Sequence, residues 1–187
     1  MDKRPIFTIG HGNRKQEDFL DLLKGFDIHY LIDVRSQPYS KFNPLFNQSD
    51  IKFFLEAHDI KYVFMGDTLG GRPSDKSCYD DEGKVDYEAV KTKEFFKLGI
   101  DRLKIAYDKN VNVVIMCSES KPTECHRTKL IGRILATDNI FLQHIDEKGK
   151  VKDQLTVINE MNKGLGDIDL FGNQLNQTSR KSYIEKQ

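Results

Sequence analysis

Tryptophan is absent from the 187 residues, cysteine occurs three times and proline five times, and no apolar run is long enough to cross a bilayer. Each shortage excludes something. A membrane-spanning helix needs about 20 consecutive apolar residues, and Met1-Asp2-Lys3-Arg4-Pro5 lacks the apolar core of a secretory signal, so no membrane partner is expected and the chain reads as cytoplasmic. The three thiols, Cys78, Cys117 and Cys125, are too few and odd in number for a disulfide framework, which fits a reducing compartment and leaves thiol or metal chemistry open. An excess of one charge is lacking too. Lys plus Arg and Asp plus Glu number 29 each, so overall charge gives no support to tight non-specific nucleic-acid binding, and such a partner would need a local basic patch.

What the chain does have is alternation. Short apolar or β-branched runs at residues 5–9, 30–34, 62–65, 111–116 and 140–145 read as five buried strands. Between them Phe19, Leu20, Leu22, Leu23 and Phe26 share one helical face, and Ile51, Phe54, Leu55 and His58 share another. Phe96, Ile100, Leu103 and Tyr107 do so within residues 87–108, where Thr92 or Gly99 is expected to bend or split the helix, and Leu130, Ile131, Ile134 and Leu135 follow. Strands alternating with helices predict a three-layer α/β/α domain with a mostly parallel five-stranded sheet, flavodoxin- or Rossmann-like, over residues 1–150. Residues 151–187 read as an extension, a short helix near 154–162 and then a polar tail with isolated apolar residues such as Leu170 and Phe171, expected to fray or dock weakly. Residues 38–47, with two prolines and three aromatics, predict an ordered loop over a site, and the polar residues 74–86 a mobile lid or surface loop. Nothing in the pattern specifies an oligomeric state.

In a parallel sheet the C-terminal strand ends share one edge, where open α/β folds place ligands. That gathers His11 and Asn13, Arg35 and Ser36, Gly70, Gly71 and Arg72, and Cys117 and Glu119. Asn13 with Gln16 resembles a capping box for the first helix. The densest stretch is Cys117 to Arg127, with Glu119, Cys125 and His126 between. If Thr123 caps a helix after Pro122, α-helical phase aims Arg127 at the sheet, turns Cys125 outward and leaves His126 on the flank. A buried arginine must meet a carboxylate or an anionic ligand. Asp33, interrupting a buried strand, is the expected partner of Arg35 or Arg127, and Glu119 is another candidate for Arg127.

Arg35, Arg72 and Arg127 near a helix N-terminus suit a phosphate or carboxylate, so the expected partner is an anionic small molecule or nucleotide, with nucleic acid as a wider possibility. In an enzyme, Cys117 or His11 would act as nucleophile or general base, with Glu119 and Asp33 orienting the cationic groups; Ser36, Gly70, Gly71, Cys125, His126 and Asn13 complete the ligand-binding set. Two other readings use the same residues: a non-catalytic module for a phosphorylated ligand or nucleic acid, and a metal-dependent enzyme using Cys117, Cys125 and His126 or His11. No C-x-x-C pair is present, so no residue is assigned as a metal ligand on sequence alone. Lys15 stands where a dinucleotide fingerprint would end in glycine, so that cofactor is not indicated, and none other is implied. Thr123 stands where the arginine of a tyrosine-phosphatase loop would follow Cys117, which removes that reading.

Four ordered motifs resemble a known family. Thr8-Ile9-Gly10-His11-Gly12-Asn13, Asp33-Val34-Arg35-Ser36-Gln37-Pro38-Tyr39-Ser40, Leu69-Gly70-Gly71-Arg72, and Met116-Cys117-Ser118-Glu119 through Cys125-His126-Arg127 together resemble the bacterial domain of unknown function four-eight-eight family, over residues 6–145. Lys41 stands where the family pattern has arginine, and lysine offers no bidentate fork. The resemblance implies an α/β domain with the signature residues gathered at one site. It implies no reaction.

Overall fold

The computed structural model describes residues 3–164 and 178–184. The β-branched and apolar runs become β1 (Ile6–Gly10), β2 (Tyr30–Asp33) and β3 (Lys61–Phe64); β4 (Lys84–Asp86) stands apart; β5 (Val113–Cys117), β6 (Leu142–Ile145) and β7 (Val151–Asp153) follow, and β8 (Thr178–Ser182) closes the set. Among the described residues the central sheet has six strands in the order β3-β2-β5-β1-β6-β7, and β4 pairs with β8 in a separate two-stranded sheet. The first five strands of the central sheet are parallel, and β7 adds an antiparallel edge. The three-layer α/β/α architecture is the one the alternation predicts, with one more strand. The order inserts β5 between β2 and β1, strands that the Rossmann and flavodoxin orders keep adjacent.

Side-chain alternation along β5 sorts the core into two halves. Val114 and Met116 face a cluster with Phe19 and Leu23 of α1 (Gln16–Gly25) and Ile51 and Leu55 of α2 (Gln48–Glu56). Val113, Ile115 and Cys117 face the other side. There they meet Leu69 of α3 (Gly66–Leu69), Val90 of α4 (Tyr87–Thr92), Phe96, Ile100 and Leu103 of α5 (Glu94–Asp108) and Leu135 of α6 (Arg133–Thr137). The long helical pattern splits after Thr92, and Asp86 caps its start by accepting from the amides of Glu88 and Ala89.

Tertiary contacts decide the course of three local segments. The capping box does not form: Lys15 holds the N-cap position of α1, and the buried Gln16 turns its amide to Leu45 O at 2.6 Å. Residues 74–86 are anchored, with Cys78 buried in the core and Asp75 paired to Lys93 at 2.9 Å. Residues 151–161 pack on the sheet, since β7 extends it and α7 (Gln154–Met161) locks onto it. Gln154 accepts from His144 Nε2 at 2.6 Å and donates to Thr128 O at 3.1 Å, while the Thr8 hydroxyl meets His144 Nδ1 at 2.7 Å. Leu170 and Phe171 lie outside the described residues.

Candidate functional site

The strand order brings three C-terminal ends side by side, with Gly10 opposite Cys117 and Asp33 opposite Met116. Pairing runs on past the strands: His11 and Gly12 amides donate to Cys117 O and Ser118 O, and the Val34 amide to Met116 O. Gly10 is required here because a Cβ would stand 1.7 Å from Glu119 O.

Asp33 and Arg35 form a bidentate ion pair, Nε to Oδ1 at 2.9 Å and Nη2 to Oδ2 at 2.6 Å, with both side chains buried. The Arg35 amide and the Tyr62 hydroxyl also donate to this carboxylate, at 3.0 and 2.7 Å, so its lone pairs are filled. Burial works against the Arg35 charge, but the bonds to Asp33 outweigh it and raise the guanidinium pKa. His11 completes the clamp. Its Nδ1–H donates to Gly12 O at 2.9 Å, so Nε2 carries the lone pair that accepts from Arg35 Nη1 at 3.3 Å, and its ring stacks on Phe46 at 4.6 Å. Burial, together with the Arg35 charge, lowers the His11 pKa to about 4, which keeps the imidazole neutral. His11 thus meets the guanidinium nitrogen of Arg35 that Asp33 does not engage.

Below Cys117 the chain departs from the expected helix. Pro122–Glu124 is a 3₁₀ turn, Cys125 is extended, and a π-helical turn, Arg127–Gly132, leads into α6. Thr123 caps nothing, and the helical phase starts later than the sequence pattern suggests. Cys125 therefore turns inward and is buried, the reverse of the outward position expected from α-helical phase. π-turns of this kind recur at functional sites. The Cys117, Cys125 and His126 ligand atoms all lie within 4.8 Å of one another. Cys117 Sγ is 3.0 Å from Glu119 Oε2, and His126 Nδ1 is 3.6 Å from Cys117 Sγ and 3.7 Å from Cys125 Sγ. His126 Nε2–H donates to Leu69 O at 3.1 Å.

The two neighbouring thiols are shifted in opposite directions. The hydrogen bond with Cys125, burial and the nearby Glu119 carboxylate raise the Cys117 pKa; at Cys125, burial is outweighed by the Cys117 bond and by the charges of Arg127 and His126, so its pKa falls. Desolvation opposes protonation of His126, but the Cys125 charge prevails and raises its pKa.

Arg127 is fully buried, as its place on the apolar face predicts. Its partners are neither Asp33 nor the Glu119 carboxylate. Nη1 and Nη2 donate to the backbone carbonyls of Glu119 and Ser120 at 2.5 and 3.1 Å, and Nε has no partner among the described residues. The charge holds the Glu119 loop from beneath.

Above this floor lies a cavity of about 280 Å³ bounded by Arg35, Ser36, Gly71, Arg72, Cys117, Glu119 and His126, together with Tyr39 and Ser40 of the proline-containing loop. Ser36 Oγ accepts from the Arg72 amide at 2.8 Å, and the Arg72 guanidinium stacks on Tyr183 at 4.3 Å. A Cβ on Gly70 would meet Gly66 O and Ser36 Oγ, and one on Gly71 would meet the His126 ring at 2.8 Å, so these glycines allow close packing. A further wall comes from β8, with Ser179, Arg180 and Lys181, and from Tyr183 just beyond it, and Arg180 pairs with Glu124 at 2.7 Å. Sequence reasoning missed this wall, since a short polar strand carries no apolar alternation. His11, Asn13, Gly70, Cys125 and Arg127 do not line the cavity; Asn13 is exposed on the turn after β1.

The family model described as Domain of unknown function DUF488 matches residues 15–134. The chain belongs to that family. The match holds the Asp33–Arg35 pair, Arg72 and the Cys117-to-Arg127 floor, while His11 precedes it and the β8 wall follows it. No curated protein and no solved structure matches the chain. Among the described residues no helix is long and apolar enough to cross a membrane.

Proposed function

We propose that the cavity binds a phosphate- or carboxylate-bearing small molecule, or the anionic end of a nucleotide, and that the protein is an enzyme acting on it with Glu119 as the acid–base group. The observation that carries this reading is the charge balance of the wall. Four cations, Arg35, Arg72, Arg180 and Lys181, face two carboxylates, Glu119 and Glu124, and Arg35 is already oriented by Asp33 and His11. A cation held in place by buried partners binds an anion without first losing side-chain freedom. The volume is at the lower end for ligand pockets, which suits a small molecule or one end of a larger one.

Glu119 stands apart among the acidic groups. Asp33 is committed to Arg35 and Glu124 to Arg180, whereas the Glu119 carboxylate contacts only the Cys117 thiol among the described residues. A carboxylate beside a cationic subsite can take or deliver a proton. Cys117, the candidate nucleophile, lies 3.0 Å from this carboxylate through its sulfur.

Titration with inorganic phosphate and turnover on a panel of phosphate and carboxylate esters test the proposal. Arg72→Met should weaken phosphate binding about tenfold or more, the loss of one charge-assisted contact. Glu119→Gln should keep or tighten phosphate binding, since a negative charge leaves the cavity, while turnover falls about 100-fold or more. Unchanged phosphate binding in Arg72→Met removes the anion site, and unchanged turnover in Glu119→Gln removes the acid–base role. Binding without turnover would leave the non-catalytic module.

A further inference from the structure

We propose that Cys117 Sγ, Cys125 Sγ and His126 Nδ1 form a three-ligand site for Zn²⁺, with the fourth position open to the anion-binding cavity. Three features of the floor carry this. The first is spacing. In a tetrahedral centre with zinc–sulfur bonds of about 2.3 Å and zinc–nitrogen bonds of about 2.05 Å, sulfur and nitrogen are about 3.6 Å apart. The two sulfur–nitrogen distances here are 3.6 and 3.7 Å, and no pair of the three donor atoms exceeds 4.8 Å.

The second is the state of the imidazole. Because His126 Nε2–H is engaged by Leu69 O, deprotonation, which a metal ligand requires, puts the ring's lone pair on Nδ1, 3.6 and 3.7 Å from the two sulfurs. Metal-ligating histidines are oriented by this kind of bond from the other ring nitrogen to a carbonyl or carboxylate. Gly71 packs against the ring where no side chain would fit, which fixes it further.

The third is the donor chemistry and access. Two sulfurs and one imidazole suit a borderline-soft ion such as zinc and not a hard cation such as magnesium or calcium. Cys117 and His126 line the cavity while Cys125 lies behind them, so three donors come from the protein and the open side faces Arg35 and Arg72. Three protein ligands with one free position is the arrangement of catalytic zinc sites, in contrast to the closed four-ligand structural ones. The free position would take water or an oxygen of the bound anion. That last point rests on the proposed anion site; the metal site itself does not.

The test uses the full chain purified under reducing conditions, stripped with a chelator and reloaded with Zn²⁺ or Co²⁺. About one zinc per chain is expected, falling to near zero in Cys117→Ser and Cys125→Ser and staying at one in Cys78→Ala, whose thiol lies elsewhere in the core. Cobalt should give thiolate-to-metal charge transfer and the strong visible bands of a tetrahedral ion, and inorganic phosphate should shift those bands. Failure of the reduced wild-type chain to take up either ion overturns the assignment, as does uptake that persists in both serine variants. The wild-type cobalt spectrum decides the matter even if the serine variants do not fold. Arg72→Met tells the two readings apart. Cobalt bands that remain while wild-type and variant alike fail to bind phosphate overturn the anion site and support the metal site; phosphate binding with no cobalt uptake does the reverse.

Discussion

Arg35 and Arg127 are both buried, both sit at the C-terminal edge of the sheet, and each depresses a neighbouring histidine, yet their charges serve different ends. Arg35 is neutralised by Asp33 and still reaches the cavity wall. Among the described residues the Arg127 guanidinium meets only backbone carbonyls, and it does not line the cavity. The difference lies in the partner. A carboxylate that fills one edge of a guanidinium leaves its other N–H groups free to face a ligand, whereas two loop carbonyls draw the Arg127 fork into the protein. A buried arginine is therefore informative about a binding site only once its partner is known.

The sharpest way to break this comparison is to remove the carboxylate. Asp33→Ala should cost about 3–5 kcal/mol in denaturant unfolding, because it leaves Arg35 buried and unpaired. A cost below about 1 kcal/mol would mean that Arg35 finds water or another partner, and the contrast with Arg127 would disappear.

Acid should expose the second strand of the comparison. Burial and the Arg35 charge lower the His11 pKa to about 4, and burial and the Arg127 charge do the same for His144. Both imidazoles take up protons in the unfolded chain below about pH 6.5 but in the folded protein only near pH 4. The unfolded state binds more protons across that window, so stability falls as pH drops from about 6.5 to about 4, by up to an order of 3 kcal/mol for each histidine. Unfolding free energies measured at pH 7, 5.5 and 4.5 should show this slope, reduced in His11→Asn. A flat profile through the window would contradict the neutral, buried state of both rings.

Replacing Arg127 should have the smallest of these effects on stability. Arg127→Met loses two charge-assisted bonds to carbonyls but also removes a buried charge, for a net cost of about 2 kcal/mol in chemical denaturation. Phosphate affinity should fall less than in Arg72→Met, since only the mounting of the Glu119 loop is disturbed. Abolished phosphate binding at unchanged stability would make Arg127 a ligand group after all and erase its difference from Arg35.

Much of this edge is legible in the residues. Asp33 announces itself as a carboxylate in a buried strand with Arg35 two positions on, where side chains share a face, and the pair forms as that spacing predicts. Arg127 announces itself by its place on an apolar face, and it is buried. Cys125 shows why phase arguments fail locally: they assume a helix from Thr123, but the chain takes a 3₁₀ turn, an extended residue and a π-turn, which reverses the side that the thiol faces. Asn13 illustrates the same limit, since its capping pattern yields to the buried contact of Gln16 with Leu45.

By itself the sequence determined the alternation of strands and helices, the edge where the motifs collect, and which charged groups had to be buried, because periodicity and the cost of unpaired charge act over a few residues. Only the tertiary structure decided that β5 lies between β1 and β2, that β8 closes the cavity, and that Cys117, Cys125 and His126 point at one another. Those depend on pairings between distant segments, whose free energy is a sum of contacts that no local pattern contains. The floor from which the sequence pattern turned Cys125 outward is, in three dimensions, one compact set of sulfur and nitrogen atoms beneath a cavity of about 280 Å³.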